Sequence, residues 1–269
     1  MTVAQLIYDI SEKNADLYYS TRFRAPDAFI YFKLRGEKYA LMTDLEIDRA
    51  KTESIIDHVL SINPYIERAQ KHTKKPTLAD VIHEALKEKR VKKLVVPKET
   101  SFALVDVLRK KGYSIKSGPN PFYEERLLKT KEEVRYIEAS QRAVYAAMGM
   151  AHDVLKASRI KGRRLIYRGN TLTSEMLRTM IEVFLLERGF SVSQTIVACG
   201  KHAIDPHERG SGPLMPHTSI IIDIYPHSNK TFYFGDATRT FCRGRAPDKL
   251  KEMYGIVKEA QAMGVAMVK

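Results

Sequence analysis

Two aspartates carry the strongest chemical signal in this sequence of 269 residues. Asp223 lies in an apolar, β-branched run at 218–225 and Asp236 in the run 231–241, where Phe232, Phe234, Asp236, Thr238 and Thr240 alternate. Both runs read as strands, the first bounded by Pro226 and the second entered from a short polar turn. If the hairpin closes symmetrically over Asn229-Lys230, Asp223 stands directly across from Asp236. Opposed side chains in such a pair have Cβ atoms about 4.5–5.5 Å apart, where like charges destabilise a sheet unless a cation sits between them. Hard divalent cations accept carboxylate oxygen, and the ions of a two-metal site lie about 3.5–4 Å apart. The pair is therefore either a fault in the hairpin or half of a dinuclear metal site. Taken singly, an Asp at a strand end caps a turn or faces water.

The elements that must position this pair begin upstream. Residues 191–200 read as a strand, and 201–214 (KHAIDPHERGSGPL) as a loop with a turn at Ser211-Gly212-Pro213. His207 sits in that loop beside Pro206, where a lone histidine is ordinarily a surface residue. Together, IVACGKHAIDPHERGSGPL, SIIIDIYP and FYFGDATRTF resemble the first half of the catalytic domain of the aminopeptidase P, prolidase and creatinase superfamily, the pita-bread fold. The resemblance covers nearly the whole chain, because the region before these motifs looks like the amino-terminal domain those enzymes share. It implies a creatinase-type α/β domain at 1–122, followed at 123–269 by the first half of an α+β pita-bread domain.

It also implies roles. Asp223 and Asp236 would hold two divalent ions (Mn²⁺ first, Co²⁺ or Zn²⁺ as alternatives), and His207 would be catalytic, binding substrate or stabilising the tetrahedral intermediate. The activity implied is hydrolysis of the peptide bond next to proline in a proline-containing peptide. Thr238 would hydrogen-bond the metal ligands, and Arg239 would hold the local fold. His202, His217 and His227 receive no role. Methionine aminopeptidase fits less well, since it needs no α/β domain in front. Creatinase, the metal-free relative, is disfavoured by the retained Asp pair.

Further out, Val3, Leu6, Ile7 and Ile10 have helical spacing, so 1–14 reads as a helix. LYYST, DAFIYFKL and KYALMT read as strands with turn residues between, and a helical region follows through IDHVLSI. Thr77 caps a helix before the strand KLVVP, and SFALVDVLRKKG is a helix ahead of the strand YSIK. SGPNP at 117–121 marks the domain boundary. Beyond it Thr130 and Glu133 form a capping box for a helix carrying Val134, Ile137, Val144, Tyr145, Met148 and Leu155 along one side. A second helix starts near Thr173 and stops at Gly189. Pro247 opens a last helix, with Leu250, Tyr254, Val257 and Val265 on one face, that runs to Lys269.

Composition bounds the alternatives. Hydrophobic content of 44% and charged content of 29% are those of a globular protein, and no apolar run is long enough to cross a bilayer. Cys199 and Cys242 are read as reduced thiols and the start of the chain as lacking a secretory signal, which predicts a cytoplasmic protein without a membrane partner. The net charge of +13 invites nucleic acid as a partner. The basic clusters at 71–76, 87–93 and 159–164 lack interleaved aromatics and read as solvated faces, so nucleic acid is disfavoured. The resemblance also implies a homodimer for the full-length protein. The family's metal site takes two Asp from this half and a His and two Glu from the next. The chain ends where that half should begin, so the resemblance implies a partial metallopeptidase without an intact site. The alternative is a non-catalytic pita-bread protein that contacts peptide or nucleic acid.

Overall fold

A computed structural model describes residues 2–268. The chain divides into two compact units, Met1–Leu128 and Lys129–Lys269. The division falls later than the 122/123 boundary read from SGPNP, because Phe122 and Tyr123 are buried in the first unit. Asp16 anchors them there. Its carboxylate accepts from the Phe122 and Tyr123 main-chain N–H groups at 3.3 Å each and pairs with Arg126 at 2.8 Å.

The first unit runs β1 (Val3–Asp9), α1 (Ala15–Thr21), β2 (Phe29–Leu34), β3 (Glu37–Met42), α2 (Asp44–Glu53), β4 (His58–Ser61), α3 (Asn63–Gln70), α4 (Leu78–Glu88), β5 (Lys93–Val96), α5 (Phe102–Lys110) and β6 (Ser114–Ser117). Its six strands form one mixed sheet in the order β4-β3-β2-β1-β5-β6. The helix expected over 1–14 is instead β1 (residue 1 lies outside the described residues), which pairs antiparallel with β2 and parallel with β5. The physical reason is burial on both faces. Ala4 and Leu6 enter the core beneath α3, α4 and α5, while Ile7 enters the core with Leu17 of α1 and Ala50 of α2. A strand covered on both sides loses the clean alternation that would identify it.

Two further expectations are corrected. LYYST is helix α1, because the Asn14 side chain accepts the Leu17 N–H at 2.9 Å and caps it. The helical region expected through residue 62 stops at Glu53; His58–Ser61 is edge strand β4, parallel to β3. Helix α3, with Pro64 in its first turn, was not anticipated. The elements β2, β3, α4, β5, α5 and β6 form where expected, and Thr77 with Asp80 closes a capping box on α4.

The second unit runs α6 (Lys131–Ala157), β7 (Arg159–Lys161), β8 (Arg164–Tyr167), β9 (Asn170–Thr171), α7 (Ser174–Leu186), β10 (Phe190–Ser191), β11 (Ile196–Cys199), β12 (Ile220–Ile224), β13 (His227–Ser228), β14 (Ala237–Phe241) and α8 (Asp248–Met267). Thr130 and Glu133 cap α6 reciprocally, and Thr173 caps α7. On α6, Val144, Met148 and Leu155 are buried, whereas Val134 and Tyr145, read onto the same face, are exposed. The strand expected over 191–200 is split into β10 and β11, with Gln194 in the left-handed region at φ 61°. Strands β11, β12 and β14 form an antiparallel sheet, and α6 and α7 cover one of its faces through a core that includes Leu177, Ile181, Ile220, Ile222 and Ile224. Helix α8 has no buried residue; Tyr254, Val257 and Val265 are all exposed, and Lys269 lies outside the described residues. Among the described residues no helix is long and apolar enough to cross a membrane.

Candidate metal centre

Alternation on β12 is strict. Ile220, Ile222 and Ile224 are buried against the helices, which turns Ile221 and Asp223 to the opposite face. Asp223 faces Ile196 on β11 and Thr238 on β14. The direct pairing of Asp223 with Asp236 therefore does not form. The loop at the end of the hairpin is not the two residues Asn229-Lys230. Ser228 N–H donates to Tyr233 O at 3.1 Å, Phe232 N–H donates to Ser228 O at 2.9 Å, and Phe232 has φ 59°. Four residues thus make the turn, and its centre moves one residue along the chain. Each partner shifts by two, which preserves the face. Asp236 becomes the diagonal neighbour of Asp223 on the same side of the sheet, a separation of about 7–8 Å between α-carbons in an ideal ladder. The second strand begins at Ala237, and His227 and Ser228 also pair with β10.

The electrostatics match this placement. Burial raises the Asp236 carboxyl above the ordinary range, and the charge of Asp223 raises it further. Thr238 donates its hydroxyl to Asp223 Oδ1 at 2.5 Å, orienting that carboxylate. Arg239 points to the helix side, over the Tyr145 ring at 5.7 Å, and its guanidinium donates to Thr238 O at 2.8 Å. His207 lies in the loop between β11 and β12 with an exposed side chain; its main-chain N–H donates to Asp205 Oδ1 at 2.9 Å. Among the described residues no hydrogen bond or ion pair joins His207 to either aspartate. The other histidines have local partners: His202 bonds Glu208, His217 Nδ1 accepts from Arg245 N–H at 2.9 Å, and His227 stacks on Phe232 with ring centroids 5.6 Å apart.

Two further positions bear on Asp236. Gln141 on α6 accepts the Asp236 N–H and donates to the Asp236 carbonyl, both at 3.0 Å. Gly235 lies so close to α6 that a Cβ there would stand 2.6 Å from the Ser140 carbonyl carbon and oxygen. Beside the aspartates, on the same face, Ile221 and Thr240 line a 730 Å³ groove closed on its far side by Leu250, Met253, Tyr254 and Val257 of α8. Neither aspartate lines it.

Two carboxylates facing one side, one of them raised in pKa first by burial and then by the other, are the donor chemistry that a hard divalent cation neutralises. They fill only part of a coordination sphere, and among the described residues no group of three or more His, Cys, Asp or Glu is arranged to hold an ion.

The family model "Metallopeptidase family M24" matches residues 135–269, a span that takes in Gln141, His207 and both aspartates. The chain belongs to metallopeptidase family M24. Such enzymes use divalent metal. Among individual relatives, it is 24% identical over 267 residues to the Xaa-Pro dipeptidase of Pyrococcus horikoshii, covering 96% of this chain and 66% of that one. It is 25% identical over 216 residues to the Xaa-Pro dipeptidase of Pyrococcus furiosus, covering 76% of this chain and 56% of that one. Among solved structures, the X-Pro aminopeptidase of Thermotoga maritima superposes with a TM-score of 0.79 at 19% identity, over 100% of this chain and 70% of its own. The prolidase of Pyrococcus furiosus superposes with a TM-score of 0.72 at 21% identity, over 96% of this chain and 67% of its own. These likenesses establish the fold: the family's α/β amino-terminal domain followed by part of the catalytic domain. The chain spans about two thirds of these proteins' length, or less.

Proposed function

We propose that this M24 chain is the Asp-bearing portion of a peptidase that hydrolyses bonds next to proline, with Asp223 and Asp236 holding a pair of divalent ions, Mn²⁺ in the first instance. The observation that carries the reading is that both aspartates lie on the face of the β11-β12-β14 sheet opposite α6 and α7. The relatives named Xaa-Pro dipeptidase support the choice of substrate. Divalent ions bound there supply Lewis acidity and a lowered pKa for water. The chain's own residues supply orientation: Thr238 fixes the Asp223 carboxylate, and the exposed His207 ring is available to a substrate carbonyl or to charge developing on it. The two free thiols, Cys199 and Cys242, favour a cytoplasmic setting, and we place the working enzyme in a homodimer.

With two carboxylate ligands, the 269-residue chain should bind Mn²⁺ weakly and hydrolyse no Xaa-Pro dipeptide. A protein extended to the length of the relatives, with the remaining ligands supplied, should cleave Xaa-Pro dipeptides in a metal-dependent way. Asp223→Ala or Asp236→Ala in that protein should abolish cleavage, and His207→Ala should lower the rate while leaving metal content intact. Metal-dependent cleavage by the 269-residue chain that survives Asp236→Ala would overturn the reading.

A further inference from the structure

Asp236 stands immediately before β14, where the ladder to β12 is only beginning. The N–H of its neighbour Gly235 donates to Pro226 O at 3.0 Å, toward the β12 side. Alternation turns the Asp236 N–H and C=O the other way, to the edge of the sheet where β14 has no neighbouring strand among the described residues. Gln141 meets both groups there. Its Oε1 accepts the N–H and its Nε2 donates to the C=O, each at 3.0 Å. One side-chain amide thereby makes both bonds that an adjacent strand would make.

The helix that carries this amide is itself fixed against the same stretch. Ser140 Oγ donates to Tyr233 O at 2.7 Å, and the Tyr233 hydroxyl donates to Glu133 Oε1 at 2.6 Å. Glu133 is the capping-box residue of α6, and its second oxygen accepts the Thr130 N–H at 2.8 Å. Gly235, lacking a Cβ, lets the main chain rest against Ser140. Three of the four residues before β14, Tyr233, Gly235 and Asp236, are thus referred to α6.

We infer that Gln141 is a positioning residue for the metal-binding carboxylate. By holding the main chain on both sides of the Asp236 Cα, it sets where that carboxylate stands relative to Asp223, against a repulsion that would otherwise push them apart. The inference rests on the reading of Asp223 and Asp236 as ligands. A merely structural glutamine would knit helix to sheet and leave ion affinity untouched.

The test is Mn²⁺ titration of the 269-residue chain by electron paramagnetic resonance, paired with amide hydrogen exchange of the metal-free protein. Gln141→Leu should weaken Mn²⁺ binding at least about tenfold, the usual cost of losing a group that orients a ligand. It should also speed exchange of the Asp236 N–H while leaving Ile222 and Ile224 protected. Gln141→Asn, which keeps the amide one methylene short, should fall between, and it serves if the leucine variant does not fold. Arg142→Gln, a change to the next residue of the helix, should leave Mn²⁺ binding as in the wild type. The inference is overturned if Gln141→Leu frees the Asp236 N–H yet binds Mn²⁺ as the wild type does. Weakened binding accompanied by faster exchange throughout β12 and α6 would equally overturn it. If Asp223→Asn and Asp236→Asn also leave binding unchanged, the ligand reading has failed and the role of Gln141 falls with it; loss in those two variants alone isolates the failure to Gln141.

Discussion

The two large sheets of this protein are built on opposite plans. The six-stranded sheet of the first unit is covered on both faces: β2 sends Ile30, Phe32 and Leu34 into one core and Phe29 and Tyr31 into the other. The three-stranded sheet of the second unit is packed by α6 and α7 on one face only, and Asp223, Asp236, Thr238 and Thr240 lie on the other. A sheet sealed on both sides has no place for an ionised group, because a buried unpaired carboxylate would be neutralised or expelled. Leaving the Asp-bearing part of that second face free of α6 and α7 lets one carboxylate sit in β12 and the other just before β14 at tolerable cost. The open face is where chemistry can be placed, and the covered face is what holds it still.

The largest expected effect probes the sealed sheet. Phe32→Ala should cost about 3–5 kcal/mol in urea unfolding, whereas Thr240→Ala on the open face should stay within about 0.5 kcal/mol. Equal losses would break the contrast between the faces. An intermediate effect tests how the covered face grips the site. Gly235→Ala should cost about 1–3 kcal/mol, because its Cβ meets helix main chain that cannot step aside. A neutral result would show that α6 can retreat from the Asp-bearing stretch.

The smallest effect has a sign fixed by pKa. Asp236 is raised, first by burial and then by Asp223, so above that raised value its ionised form costs the folded chain stability. Asp236→Asn should therefore raise the melting temperature of the metal-free protein at neutral pH, by an amount worth less than about 1 kcal/mol for so exposed a group. The gain should shrink as pH falls through the raised pKa. It should be gone below the ordinary carboxylate value of about 3.9, where both states are protonated. Excess Mn²⁺ should reverse the sign, since only the wild-type pair then gains from binding. A variant less stable than wild type at neutral pH without metal would show that the pair is not in repulsion.

Much of what surrounds the site could be read along the chain. Thr130 with Glu133 announces the start of α6, because a capping box involves only residues three apart. The run at 220–224 announces a half-buried strand, since each isoleucine need only alternate with its neighbours. That both aspartates share a face is legible as well, because moving the centre of a hairpin by one residue shifts its partners by two and keeps the face.

Tertiary structure alone decided the rest, and the reason is the same in each case: the deciding partner is remote in sequence. Residues 3–9 are a strand because helices cover them from both sides, which a helical spacing of Val3, Leu6, Ile7 and Ile10 cannot reveal. The register of β12 with β14 depends on a four-residue loop in which Phe232 takes a left-handed conformation that its residue type does not favour. The clamp on Asp236 comes from Gln141, 95 positions earlier, and a glutamine on a helix has no pattern of its own until a strand edge is brought against it.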